Sequence, residues 1–214
     1  MASTAISAQG SILQIATGTG GAKTITAIAV GNPTILTSAA HGFSAGDVVA
    51  IAGVTGADAA LINGLSWVVA YKTTNTFAVE LDSTGKTLTA TGTATPNTYT
   101  TVNNLKTFSG FDGQAGEIDV TNLSSVAKEF RLGLTDPGHF QIEMDQDMAD
   151  AGQLAMRAAQ ASGVIKSFKL VLPSGATPTA TFTAFVKSFS TSGGVDQVAK
   201  ASSQLRISGA VTWS

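Results

Sequence analysis

Large apolar side chains alternate with polar ones along much of this chain, and these two-residue periods predict short strands. In Ser203–Trp213, Leu205, Ile207, Val211 and Trp213 share one face, and Gln204, Arg206, Ser208 and Thr212 share the other, the pattern of a half-buried strand. Between Phe140 and Asp147, Phe140, Ile142 and Met144 alternate with Gln141, Glu143, Asp145 and Asp147. Ser11–Ala16, Glu117–Thr121, His139–Asp145, Val164–Leu172 and Thr179–Phe189 are rich in Val, Ile, Phe and Thr and also read as strands. Around Phe182–Phe189 the large residues change phase near Ala184–Phe185, which a bulge explains.

One stretch has a helical period. Met148, Ala151, Leu154, Ala155, Ala158 and Ala161 recur at three- and four-residue steps, with Asp150, Gln153, Arg157 and Gln160 outside the stripe. Asp147 is placed to cap the N-terminus, Asp150 suits the positive end of the dipole, and Gly163 suits the stop. The stripe is Ala-rich and thin, so it is expected to lie close on a sheet.

Residues 24–95 have another texture, with short strands between turns at Asn32–Pro33, His41–Gly42, Ala45–Gly46–Asp47, Asn63–Gly64, Thr74–Asn75 and Thr84–Gly85. The flanks TGTGGAKT and TATGTATPNT read as flexible joints. Joints on both sides of a compact segment predict an insertion whose ends lie close together. The expected division is 1–22 with 97–214 as one domain, and 23–96 as a small inserted β domain.

Composition adds a partner question. The charged fraction is 12%, about half the ~25% of ordinary soluble domains. Ser, Thr, Asn and Gly must cover such a surface, or partners must bury it, as interface cores are charge-depleted; a monomeric Thr-rich β-protein and an assembling one both fit. The net charge of −2 leaves no basic surplus to hold phosphates tightly. There is no cysteine, hence no disulfide or zinc–thiolate site. The first ten residues have no basic or apolar signal region, and the longest apolar runs, such as Val48–Val54, are too short to span a bilayer.

Several motif look-alikes lack their context. Gly42-Phe43-Ser44-Ala45-Gly46 spells a nucleophile elbow, but the next residues read as a strand where that motif needs a helix; the turn reading wins. Gly18–Thr24 spells a partial phosphate loop with Ala22 where the Gly before the Lys belongs; a linker is the better reading. Asp145, Asp147 and Asp150 lack the Gly and the closing Glu of a calcium loop. His41 is expected to cap a turn and His139 to open a strand. No catalytic, metal or cofactor residue is assigned.

The order of motifs in the second half is more specific. Tyr99-Thr-Thr-Val-Asn-Asn-Leu105 leads to Phe108-Ser-Gly-Phe-Asp-Gly113, then Gly116-Glu-Ile-Asp-Val-Thr-Asn-Leu-Ser124, Gly133-Leu-Thr-Asp-Pro-Gly138, Phe168-Lys-Leu-Val-Leu-Pro-Ser-Gly175 and Leu205-Arg-Ile-Ser-Gly-Ala-Val211. With Ser11–Ala16, this order resembles the major tail tube proteins of long non-contractile-tailed (siphovirus-like) phages. Within 24–95, HGFSAGDVVAIAGV at 41–54, INGLSWVV at 62–69 and TTNTFAVELDST at 73–84 resemble a small β-module of phage tail proteins, similar to a non-catalytic half-domain of ubiquitin-activating enzymes.

The resemblance implies a mainly β fold: a two-sheet antiparallel sandwich or partly open barrel with one flanking helix, plus the small β-barrel-like insertion. It implies a structural virion protein, not an enzyme, made in the host cytoplasm without a membrane anchor. Rings, hexameric in the family, stack into a hollow tube that conducts DNA without tight binding. The tape measure protein and the tail terminator are the implied partners. A tail-associated adhesin, and a tube-capping terminator or hub protein, are the alternatives. Gln141, Glu143 and Asp145 either line the lumen or form a solvated outer face. Phe108, Ser109, Gly110, Phe111, Asp112, Gly113, Gln114, Ala115 and Gly116 read as a long loop, either an inter-subunit contact or a surface hairpin. The insertion is expected outside the tube, and residues 1–10 as an arm that orders on assembly.

Overall fold

The structure is a computed structural model and describes residues 5, 7–89, 91–173 and 178–214. Residues 1–4 and 6 of the expected arm, and Ser174 and Gly175 of the quoted motifs, lie outside the described residues. In chain order the strands are β1 (Ile12–Thr19), β2 (Lys23–Ile25), β3 (Ala27–Ala29), β4 (Thr34–Thr37), β5 (Val48–Ala52), β6 (Ser66–Lys72), β7 (Thr76–Val79), β8 (Gly92–Val102), β9 (Leu105–Gly110), β10 (Gln114–Asp119), β11 (Phe130–Asp136) and β12 (His139–Asp145). The helix α1 (Ala151–Ser162) follows, then β13 (Lys166–Val171), β14 (Thr179–Ser192), β15 (Lys200–Ile207) and β16 (Thr212–Trp213). The protein is mainly β, its sheets are antiparallel, no barrel closes, and one α-helix is present among the described residues, the fold class expected of a sandwich with a flanking helix.

The chain divides into two compact units. The first holds residues 1–102, 167–181 and 212–214; the second holds 103–166 and 182–211.

In the first unit β1 pairs with β13 and with β8. Leu13 and Ile15 are buried, as are Phe168, Leu170 and Val102. The strand path β3-β4-β7-β6-β5-β8-β2 begins and ends in neighbouring strands, since only Thr26 separates β2 from β3. The sheet therefore curls round its core, where Ile25, Leu36, Val49, Ile51, Ile62, Val69, Phe77 and Val79 pack together. That core draws all its buried members from residues 25–94. The flanks are strands rather than flexible joints: Thr19 pairs with Asn97, Lys23 with Ala94, and the Gly20 amide donates to the Pro96 carbonyl at 2.7 Å.

In the second unit the order is β14-β15-β12-β9. Phe140, Ile142, Met144, Phe182, Val186, Leu205 and Ile207 fill its core with Met156 and Ala159 of α1. The bulge expected in β14 falls between Val186 and Ser188, just after the predicted place. The predicted single strand Ser203–Trp213 is two. β15 ends at Ile207, the chain turns through Gly209 at φ +90°, and β16 pairs with Ala180 and Thr181 instead. A glycine tolerates that left-handed conformation where L-residues are strained.

Candidate assembly surfaces

The alternation along β12 sorts its side chains as the sequence predicts: Phe140, Ile142 and Met144 are buried, Gln141 and Glu143 exposed. The ladder extends that exposed face. Gln141 stands opposite Ser109 and Gln204, and Glu143 opposite Thr107 and Ser202. Ser188 stands opposite Gln204, and the Ser190 and Ser202 hydroxyls are 2.7 Å apart. A shallow groove runs between Gln141, Glu143, Ser188, Ser202 and Gln204. Asp145 stands opposite Lys200 and pairs with the Lys106 ammonium at 2.8 Å. The middle of the face is therefore hydroxyl and amide in character, with the Thr107 hydroxyl donating to Glu143 at 3.4 Å, while charges gather at its ends, where Asp145 meets Lys106 and Lys200 and where Arg206 stands opposite His139 and pairs with Asp136.

The long loop expected over Phe108–Gly116 does not exist as such. Phe108, Ser109 and Gly110 end β9, Phe111, Asp112 and Gly113 make the corner, and Gln114, Ala115 and Gly116 open β10. Phe108 stacks on Phe140 with ring centroids 6.1 Å apart, and Phe111, at φ +59°, turns its ring onto Phe140 and Phe182 at 5.1 and 5.4 Å. The aromatic residues anchor the corner rather than tip it. Gly110 is required by close approach, since a Cβ there would sit 2.7 Å from the Cα of Phe140. The Asp112 carboxylate accepts the His139 amide at 2.7 Å, which holds its pKa below the ordinary range.

The projecting element is the hairpin β10–β11, a two-stranded sheet of its own. Phe130, Leu132 and Leu134 alternate along β11, and all are exposed, Leu132 by 76% and Leu134 by 97%. Ile118 on the other strand, Val120 just past its end, and Leu123 and Val126 at the tip are exposed as well. An isolated hairpin is marginal in water, and so large an apolar surface marks an interaction site. Carboxylates hold the hairpin. Asp136 pairs with Arg206 at 2.5 Å and accepts the Gly138 amide; Asp119 accepts the Thr121 amide at 2.9 Å. These bonds lower both pKa values, the Arg206 bond dominating at Asp136 and the Thr121 bonds at Asp119. Sequence reading missed the β11 row, although Phe130, Leu132 and Leu134 carried a period-two signal.

The cap of α1 is Asp150, not Asp147. Asp150 has extended backbone and its carboxylate accepts the Gln153 amide at 2.8 Å, while its other oxygen accepts Asn103 Nδ2 at 2.6 Å. Asp147 lies one turn too early and accepts the Ala149 amide instead. Gly163 does stop the helix, at φ +65° with its N–H on Ala159 O. The buried face also differs from the expected one: it is Gly152, Gln153, Met156 and Ala159. Gln153 explains the rotation. Its amide donates to Asn103 O and Asp145 O and accepts from the Asp147 N–H, satisfying three backbone groups at once. Leu154, Ala151, Ala158 and Ala161 consequently face outward.

In the first unit, Asp47 binds the Ser44 amide in a turn that β5 follows, so no nucleophile elbow forms. Lys169 of β13 is buried, pairs with Asp47 at 2.6 Å and lies over the Tyr99 ring at 4.5 Å. Burial pushes the Tyr99 hydroxyl pKa up. Thr181 donates to Gly46 O at 3.0 Å, so the turn 44–47 is fastened to two further strands. His41 holds a turn, its Nδ1 accepting the Phe43 amide and its Nε2 meeting Thr76 O. His139 opens β12. Among the described residues no three His, Cys, Asp or Glu side chains gather as a metal cluster.

Compared with known proteins, residues 74–180, half of the chain, match the family described as phage tail tube, TTP, lambda-like. The chain belongs to that family. The match on this tail tube protein starts inside the segment 23–96 and ends at Ala180, in β14. No curated protein matches it. A solved structure titled as the cryo-EM structure of the anti-feeding prophage baseplate, 6-fold symmetrised, is similar at 12% identity and TM-score 0.43, over 55% of this chain and 84% of that one. Membership makes the tail tube protein a structural component of the phage tail and virion, not an enzyme. No helix among the described residues is long and apolar enough to cross a membrane.

Proposed function

We propose that this tail tube protein assembles as stacked rings, six copies to a ring, into a hollow tube through which DNA passes from capsid to host. The observation that carries this reading is the exposed face of β9, β12, β15 and β14. A polyanion slides past a wall of hydroxyl and amide groups, whereas basic walls hold phosphates. In this reading Gln141, Glu143 and Asp145 line the lumen, and Lys106 and Lys200 keep Asp145 from adding to the field. The corner and hairpin following Phe108 reach a neighbouring subunit. The tape measure protein and the terminator meet the tube during assembly.

The segment 23–96 is read as an inserted module outside the tube, where it leaves the bore open. Its self-contained core supports the division from 1–22 and 97–214. Its likeness to a half-domain of ubiquitin-activating enzymes brings no conjugation chemistry, because a thioester needs a cysteine and the chain has none.

Negative-stain microscopy of the purified protein tests the reading. Regular hollow tubes of constant width are expected; protein that stays monomeric, or forms single closed rings, argues for an adhesin or a capping protein instead. In virions, Glu143→Lys should leave tubes intact and slow DNA ejection. Ejection at the normal rate would remove Glu143 from the lumen.

A further inference from the structure

We propose that the open cavity between the turn at 40–43 and the β6–β7 turn binds an anionic group, carboxylate or phosphate, carried on a polyhydroxylated molecule. His41, Gly42, Phe43, Lys72, Thr73 and Thr74 line it. Its volume is about 540 Å³, within the ~300–1,000 Å³ of small-ligand sites. The approach over Gly42 is clear, since a Cβ there would meet nothing within 4 Å. Binding in this cavity goes beyond the tube reading and does not depend on tube formation.

Charge selects the ligand. No carboxylate lines the cavity, and among the described residues none lies within ion-pair distance of the Lys72 ammonium. Lys86, in the same segment, already faces Asp58 at 3.7 Å. His41 is no acid or base here. Its Nδ1 accepts the Phe43 amide at 2.9 Å, which leaves the ring proton on Nε2, 3.1 Å from Thr76 O. The backbone adds donors. The Ala40, Phe43, Thr73 and Thr76 amides have acceptors, whereas those of Gly42 and Thr74 have none among the described residues. Free N–H groups beside an unpaired cation favour an anion. The rest of the cavity suits a larger carrier. Phe43 and His41, with ring centroids 4.8 Å apart, give it an apolar wall. A bare anion leaves that wall uncovered, whereas a sugar ring or polyol has C–H faces for the wall and hydroxyls for Thr74.

Titration calorimetry of the full chain tests this with digalacturonate, glycerol 3-phosphate, maltose and inorganic phosphate. Saturable binding of digalacturonate or glycerol 3-phosphate at millimolar concentration supports the site, and which of them binds tells a carboxylate source from a phosphate source. Maltose bound as tightly as the charged probes overturns the role of charge. Inorganic phosphate bound as tightly as either charged probe overturns the carrier. No saturable binding of either charged probe overturns the site. Lys72→Gln should weaken binding at least about tenfold with circular dichroism unchanged, and Lys72→Arg should keep most of it. Lys86→Gln, the same change of net charge at a paired lysine, should leave binding as it is. Equal losses in the two Gln variants would reduce the effect to overall charge and remove the cavity as the site. Each of these results leaves the tube reading to be decided separately by microscopy.

Discussion

Replacing Asp150 by alanine should cost the second unit about 2–4 kcal/mol. Two contacts make up the figure. The cap bond to the Gln153 amide contributes about 1 kcal/mol. The bond from Asn103 Nδ2 to a charged acceptor contributes about 1.5–3 kcal/mol, and water replaces it poorly because Asp150 is only 8% exposed. Asp147→Ala is the control, since that side chain is exposed and bonds only the Ala149 amide among its recorded partners; a change within ~0.5 kcal/mol is expected. Urea unfolding followed by circular dichroism reads the difference. With a slope of about 2–3 kcal/mol per molar, Asp150→Ala should lower the midpoint by roughly 1 M. Asp150→Asn should keep most of the cap, because asparagine caps as well as aspartate. If Asp147→Ala moves the midpoint as far as Asp150→Ala, the capping assignment is wrong.

Acid should loosen the hairpin before the sheet beside it. The folded-state pKa values of Asp112, Asp119 and Asp136 are depressed, so their stabilisation is present above the ordinary carboxylate range and is lost as pH falls from about 4 through the depressed values. Amide exchange corrected for intrinsic rates should rise more in 114–136 than in β12; an equal rise would refute this. In the first unit, Asp47→Ala should cost about 2–4 kcal/mol, more than Lys169→Met, because it strands a buried ammonium; the reverse order in urea unfolding would contradict it. Replacing residues 21–95 by Asn-Gly should leave a folded chain whose stability Lys169→Met raises, by removing the cation left without Asp47. Tubes from that shortened chain would show the segment to be dispensable for polymerisation.

The parts legible in the sequence are those where burial alone decides. Phe140, Ile142 and Met144 point into one core, so the period of two fixes the sides of β12. The helix was legible in extent but not in orientation, because the rotation is set by three hydrogen bonds of one glutamine, which no hydrophobic period encodes. The stripe seen in the sequence is real, yet it is not this unit's core. The hairpin was obscured for a related reason: among the described residues nothing covers either face of β10–β11, so apolar and charged residues are mixed on both. Glycines at 110 and 113 spelled a loop, where at 110 the cause is close packing against Phe140. The break at Gly209 was hidden because Leu205, Ile207, Val211 and Trp213 keep the same parity across it.

The pairing of Thr19 with Asn97 has an engineering consequence. What leaves the β1–β8 ladder at Gly20 returns at Pro96, and these two residues are bonded to each other. The two strands pair from Leu13 with Val102 to Thr19 with Asn97, with one register shift between Ala16 and Gly18. Doubling the length of a flexible closing loop adds only about 0.6 kcal/mol of closure cost. Segments of quite different length are therefore expected to close this ladder at a similar entropic cost.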